Sequence, residues 1–251
     1  MNKGILQSHA IVTIVVLILR TCYSLCGAFN IQYGIGAILF QPKGLVTSTI
    51  EGDPQILLQA SDFFVEAFWV GKVGGGTTSL SQQQRKRLQI SQYSEFRGRY
   101  AGVSRGQSEL IVCQLPDNGD VVGCAGVQVG PIPQGSLKGR PMAKPAPLMS
   151  NLAVSRNYRR KGIAEKLVAE VERVARYEWG HDFCYLYVEE RNIPALNLYK
   201  KLGYRKIWRD TDAKTLLPSD NGNLLSTPTT LVCMRKQLGS GILGRLFPLR
   251  V

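Results

Sequence analysis

From Leu45 onward the apolar positions fall into blocks of changing period, and each change marks an element. Leu45 to Thr49 (LVTST) is a short β-prone run that predicts a first strand. Asp53 or Pro54 then opens a stretch in which Leu57, Leu58, Ser61, Phe64, Val65 and Phe68 recur at three- and four-residue intervals, the spacing of one helical face. Gly74-Gly75-Gly76 breaks it, and Thr78 or Ser79 is placed to cap a second, very polar helix from Leu80 to about Phe96. The period then becomes two. Glu109 to Leu115 and Val121 to Val129 read as the arms of a hairpin turning at Asp117-Asn118-Gly119-Asp120. Gly130 to Pro147 holds five prolines and reads as a long loop. Leu148 to Val154 predicts a strand, and Arg159 to about Glu178 a helix with Ile163, Leu167, Val171 and Val174 along one face. Phe183 to Val188 predicts a strand, and Pro194 to Leu202 a short helix stopped by Gly203. Tyr204 to Trp208 and Thr230 to Met234 predict two final strands, joined by a connection that turns at Asn221-Gly222. The order β-α-α-β-β-β-α-β-α-β-β predicts a mixed α/β (α+β) domain over 46–238, followed by a tail over 239–251.

The first fifty residues have another character. No Asp or Glu precedes Glu51, and Lys3, Arg20 and Lys43 are the only full charges. Residues 1–45 therefore read as a leader. An organelle transit peptide, a secretory signal or membrane anchor, and an untargeted extension all remain open. The apolar stretch Ile5–Leu19 is shorter than the roughly 20 residues of a membrane span.

Composition narrows the class. With 44% hydrophobic and 20% charged residues in 251, the chain can bury a core and is not a disordered polymer. Lys plus Arg outnumber Asp plus Glu by 31 to 18, a net charge of +13, which suits a polyanionic partner or a phosphorylated cofactor. Cys22, Cys26, Cys113, Cys124, Cys184 and Cys233 form no CxxC pair, and His9 and His181 are the only histidines. The cysteines read as buried free thiols, and no metal site is expected. The Gly74–Gly76 run lacks the Lys-Ser/Thr of a phosphate loop and reads as a connection.

The stretch from Asn151 to Tyr204 carries the chemistry. Its first half, NLAVSRNYRRKGIAEKLV, runs from a strand through a basic turn into a helix that opens at Gly162 and Ala164. The first amides of a helix have no intrahelical partner and sit at its positive end, so small residues there admit a diphosphate. Arg159, Arg160 and Lys161 add charge. The second half, YVEERNIPALNLYKKLGY, ends a strand, breaks at Asn192 and carries Tyr199 on a short helix. Taken separately, these halves also fit a solvated basic helix start and the buried face of an amphipathic helix.

Together they resemble the GNAT superfamily of acetyl-CoA-dependent N-acetyltransferases. Arg159, Gly162 and Ala164 fill its [Gln/Arg]-x-x-Gly-x-[Gly/Ala] signature. Asn192, Ala195, Leu198, Tyr199, Gly203 and Tyr204 fill its Asn-x-x-Ala-x-x-Leu-Tyr-x-x-x-Gly-[Phe/Tyr] pattern. Many members have Val-x-Pro before the turn, whereas here Val154 precedes Ser155-Arg156, with Asn157 as turn former. The basic domain behind an acid-free leader is similar to the plant plastid branch, whose members acetylate lysine side chains and protein N-termini.

The resemblance implies one central mixed sheet flanked by helices, with its fourth and fifth strands splayed. It implies that acetyl-CoA is the acyl donor. Main-chain groups of Leu152, Ala153 and Val154 would pair with the pantetheine arm. The turn Arg159, Arg160, Lys161, Gly162, Ile163 and Ala164 would hold the diphosphate. Asn192 would bond to the arm, and Tyr199 would protonate or hydrogen-bond the departing thiolate as general acid. Glu189 and Glu190 are candidate bases, with solvated surface charge as the other reading. The implied partners are protein or peptide amines, with no stable membrane association after leader removal, and the implied location is the chloroplast. Cytoplasmic and secretory locations, small-molecule amine acceptors and, more distantly, nucleic-acid binding are the alternatives. No RNA- or DNA-binding motif accompanies the basic excess.

Overall fold

Local signals set the elements around the sheet. The computed structural model describes residues 46–49, 53–70, 80–101, 107–132, 145–218 and 224–239. Strand β1 (Val46–Thr49) is followed by helix α1 (Pro54–Phe64). Asp53 caps α1 by accepting from the amides of Gln55 (2.8 Å) and Ile56 (3.3 Å), with Pro54 in the first turn, where its missing N–H is not needed. The chain continues as a wider π-type turn, Val65–Trp69. Helix α2 (Gln82–Tyr100) starts with a capping box of Ser81 and Gln84. The cap thus lies beyond Thr78 and Ser79, and α2 runs four residues past Phe96, so that Tyr100 is its last residue.

The main sheet has the order β1-β2-β3-β4-β5-β9-β6. Its strands are β2 (Ser108–Gln114), β3 (Val121–Gly130), β4 (Ala146–Val154), β5 (Phe183–Glu189), β6 (Arg205–Asp210) and β9 (Leu231–Gln237). Every neighbouring pair is antiparallel except β4 and β5, which are parallel. Helix α3 (Ile163–Arg173) joins those two and widens into a π-type turn at Val174–Glu178. Helix α4 (Ile193–Lys201) joins β5 to β6. The connection from Arg209 to Thr229 contains a second, two-stranded sheet, β7 (Lys214–Pro218) with β8 (Leu224–Pro228). Strand β4 begins at Ala146, so the proline-rich loop ends earlier than its composition suggests.

Two cores lie on opposite faces of the sheet. Leu57, Ala60 and Phe64 of α1 and Phe96 and Tyr100 of α2 pack on Leu110, Val112, Cys124 and Ala153. Ile163, Leu167, Val168 and Val171 of α3 and Leu196 and Tyr199 of α4 pack on Ile111, Val127, Met149, Cys184 and Leu186. Cover on both faces explains why β2 and β3 read as nearly continuous apolar runs. Cys113, Cys124, Cys184 and Cys233 are buried free thiols, as expected. The expected leader and residues 240–251 of the expected tail lie outside the described residues. Among the described residues, no helix is long and apolar enough to cross a membrane.

Candidate active site

The central irregularity is the seam between β4 and β5. Only Leu148↔Tyr185 and Met149↔Leu186 pair across it. Beyond those rungs β4 runs on to Val154 and β5 to Glu189 with no further pairing. The strands part where β4 carries a bulge: Cys124 faces Ala153 and Gly126 faces Ser150, so Asn151 and Leu152 together oppose Ala125. Asn151 has φ +55°, the left-handed region that asparagine tolerates better than most residues. A bulge increases local twist, which turns β4 away from β5.

At the open end, β4 passes into the turn before α3. Ser155 donates from its amide to the Val122 carbonyl at 2.9 Å, and Arg156–Tyr158 forms one tight turn. Arg160 and Gly162 have φ +64° and +80°. A Cβ on Gly162 would meet nothing within 4 Å, so backbone conformation and not space asks for glycine. No side chain caps α3. Among the described residues, no main-chain bond outside the helices and strands is donated by an amide from Arg160 to Ala164. Arg160, Lys161 and Gly162 are exposed, so the helix tip is open. Ile163 faces inward, and α3 sits close to the sheet because residue 123 is glycine: a Cβ there would lie 2.9 Å from Ile163 Cγ2 and 3.0 Å from Leu167 Cδ1.

The basic side chains of this turn divide in use. Arg159 donates through Nε to the Val154 carbonyl (3.1 Å) and through Nη2 to that of Ala67 (3.4 Å), and Arg156 donates to that of Val70 (2.8 Å). These two residues tie the turn to the end of the first helical segment. Lys161 lies over the Tyr158 ring, 4.9 Å from its centroid.

On the β5 side, the Asn192 Oδ1 accepts from the Ala195 amide at 3.2 Å and caps α4. Helix α4 then buries Tyr199 in the core that also holds Cys184 and Leu186 of β5. Cys184 precedes Tyr185 of the first rung by one residue and belongs to the same core cluster as Tyr199. Tyr199 is 7% exposed and packs edge-on to Tyr204, with centroids 5.8 Å apart. Burial, and secondarily Cys184, push its hydroxyl well above the ordinary phenol pKa. Burial likewise pushes the Cys184 thiol up to about 12.

The two candidate bases are engaged. Glu189 accepts from Thr215 Oγ1 (2.7 Å), Arg191 Nε (2.7 Å) and Thr229 Oγ1 (3.4 Å), which fastens the β7–β8 hairpin to the end of β5. Glu190 pairs with Arg209 and with Lys206. Residues 76–204 match the model of the Acetyltransferase (GNAT) family. The chain belongs to that family. This GNAT chain is 42% identical over 59 residues to GCN5-related N-acetyltransferase 4, chloroplastic, of Arabidopsis thaliana; the match spans 24% of this chain and 20% of that relative. Among solved structures it is similar to the ribosomal-protein-alanine N-acetyltransferase of Brucella melitensis (21% identity, 76% of this chain and 99% of that one, TM-score 0.46). It is also similar to an N-acetyltransferase of Staphylococcus aureus (14% identity, 78% and 100%, TM-score 0.49). As in the family, the mixed sheet is flanked by helices and opens between its fourth and fifth strands.

Proposed function

We propose that this acetyltransferase moves acetyl from acetyl-CoA to amines of proteins, at N-terminal α-amino groups or lysine side chains, and does so in the plastid. The observation that carries the reading is the parting of β4 from β5 beside an uncapped, exposed helix tip. An extended arm fits the free edge of β4, with Leu152 and Ala153 as its main-chain partners and the Val154 carbonyl already held by Arg159. The amides from Arg160 to Ala164 suit a diphosphate, because they lie at the positive end of α3, which no side chain caps. Arg160 and Lys161 add charge there, while Arg159 braces the turn. Asn192 has its Oδ1 engaged in the α4 cap, which leaves its amide nitrogen for the arm.

The donor supplies an activated thioester; the chain's own residues orient it and manage protons. Tyr199 keeps its proton at neutral pH and donates a hydrogen bond toward the leaving sulfur. The acceptor amine must be neutral to attack. An α-amino group titrates near 8 and a lysine near 10.4, so far more of the former is reactive at pH 8. With Glu189 and Glu190 both tied to cationic or hydroxyl partners, α-amino acceptors are the easier substrates. The word chloroplastic in the Arabidopsis relative's name and the acid-free leader support the plastid location.

The test pairs two peptide sets with acetyl-CoA under mass spectrometry, one with a free α-amine and no lysine, the other N-terminally blocked with one lysine. Transfer to the first set ahead of the second is expected. Absence of transfer to both, with no heat of coenzyme A binding by calorimetry, removes the reading. A fluorescent protein fused behind residues 1–45 should enter isolated chloroplasts; exclusion from them removes the location.

A further inference from the structure

Asn151 is the first residue beyond Ser150 after the last rung between β4 and β5, and its left-handed backbone is not left to itself. Its Nδ2 donates to the Tyr100 hydroxyl at 2.9 Å, and its carbonyl accepts from the Cys124 thiol at 3.4 Å. Tyr100 arrives from the last turn of α2, fully buried, with its ring edge-on to Phe96 at 5.7 Å. It reaches the bulge because residue 126, which faces Ser150 across β3 and β4, is glycine. A Cβ there would overlap the Tyr100 hydroxyl and lie 2.8 Å from the ring carbon that bears it.

This arrangement fixes which way the strand faces beyond the bulge. Leu152 and Val154 contact the α3–α4 core, while Ala153 contacts the α1–α2 core. A slip of one residue exchanges those faces and also the main-chain groups presented to the cleft. Resting on the acetyl-transfer reading above, we propose that Tyr100 is a positioning residue for that reaction. Its hydroxyl holds Asn151 in the left-handed bulge and so sets the register of the β4 edge against which the thioester lies.

Tyr100→Phe keeps the ring and removes the hydroxyl, and with it the acceptor for Asn151. Two readouts follow. Hydrogen exchange of peptides spanning 148–154 should speed up in the free protein, well below its melting temperature. Turnover on the peptide acetylated fastest by the unaltered enzyme should fall about tenfold, while affinity for coenzyme A, set mainly at the α3 tip, changes less than about threefold. Gly126→Ala, which displaces the hydroxyl and deletes no polar atom, should behave alike. Asn151→Gly keeps the left-handed conformation accessible, and adding Tyr100→Phe to it should slow turnover no further. Unchanged exchange and turnover in folded Tyr100→Phe, or full additivity in the double variant, overturns the positioning role while the acetyl-transfer reading stands. If the unaltered protein neither binds coenzyme A nor acetylates peptides, that parent reading falls, and the positioning role of Tyr100 falls with it.

Discussion

Tyr199 sits where burial decides its protonation. The neutral phenol is favoured over the phenolate in the folded chain, so its folded pKa lies above the ordinary value of about 10. A group that must be protonated to act, with such a raised pKa, gives no alkaline fall in kcat through the usual phenol range. With an α-amino acceptor, which is about nine-tenths neutral by pH 9, we expect kcat to hold level from pH 9 to about 10. A fall centred below that range would remove the donor role. With the proposed role on the leaving sulfur, Tyr199→Phe should lower kcat by about a hundredfold and change the coenzyme A dissociation constant much less. Steady-state kinetics with parallel calorimetry checks the split. The sequence singled this residue out through the Leu198-Tyr199 pair and the Gly203-Tyr204 that follow Asn192, and the structure buries it on a helix. Tyr100 and Gly126 were not singled out: each reads as an ordinary member of a helix or a buried strand. Asn151 stands beside Ser150 in a strand that is apolar elsewhere, and reads there as an ordinary polar position.

Among the elements, α3 owes its useful end to two glycines with different reasons. Gly162 is needed for its φ of +80°, so Gly162→Ala should cost about 1–2 kcal/mol in backbone strain. It should also weaken coenzyme A binding, measured by calorimetry. Gly123 is needed for closeness, so Gly123→Ala should press on Ile163 and Leu167 and lower stability by about 1–3 kcal/mol in thermal melts. Helices and sheet strands were readable because their periods change at glycine, proline and asparagine. The β7–β8 hairpin was not, since the adjacent pairs Leu216-Leu217 and Leu224-Leu225 break its alternation and its anchor is the distant Glu189. Capping at Ser81 was missed because four hydroxyl residues, Thr77, Thr78, Ser79 and Ser81, compete locally, and Ser79 has Gln82 three residues on just as Ser81 has Gln84. Neither reading of Glu189, as candidate base or as solvated surface charge, foresaw that Thr215, from that hairpin, would occupy it. Glu189→Gln should therefore loosen the hairpin and slow transfer by less than about tenfold, without moving the pH profile as loss of a base would. Limited proteolysis of the hairpin, run beside the kinetics, separates the two outcomes.

For the molecule as a whole, several buried groups share one sign. Burial raises the thiols of Cys184, to about 12, and Cys233, to about 11, and the hydroxyls of Tyr199 and Tyr204 beyond the ordinary phenol value. Above pH 9 the unfolded chain releases these protons before the folded one does. Its bound-proton count is then lower, and unfolding free energy falls with pH. The stability these groups contribute is complete below about pH 8.5 and is lost progressively between about 9 and 12. Thermal melts across that range should show a steady decline, steeper than in a variant with Cys184→Ala.

The two-rung seam has a mechanical consequence. Strands β1 to β4 form one plate and β5, β9 and β6 another, joined directly by the two paired positions and bridged by α3. A linear molecule laid along the gap would act as a splint, and the plates would then flex as one body. Saturation at a hundred times the dissociation constant should add about 2.7 kcal/mol to the unfolding free energy. Slowed amide exchange should appear on both sides of the joint, at residues 150–154 and 187–189, and not only where the ligand touches.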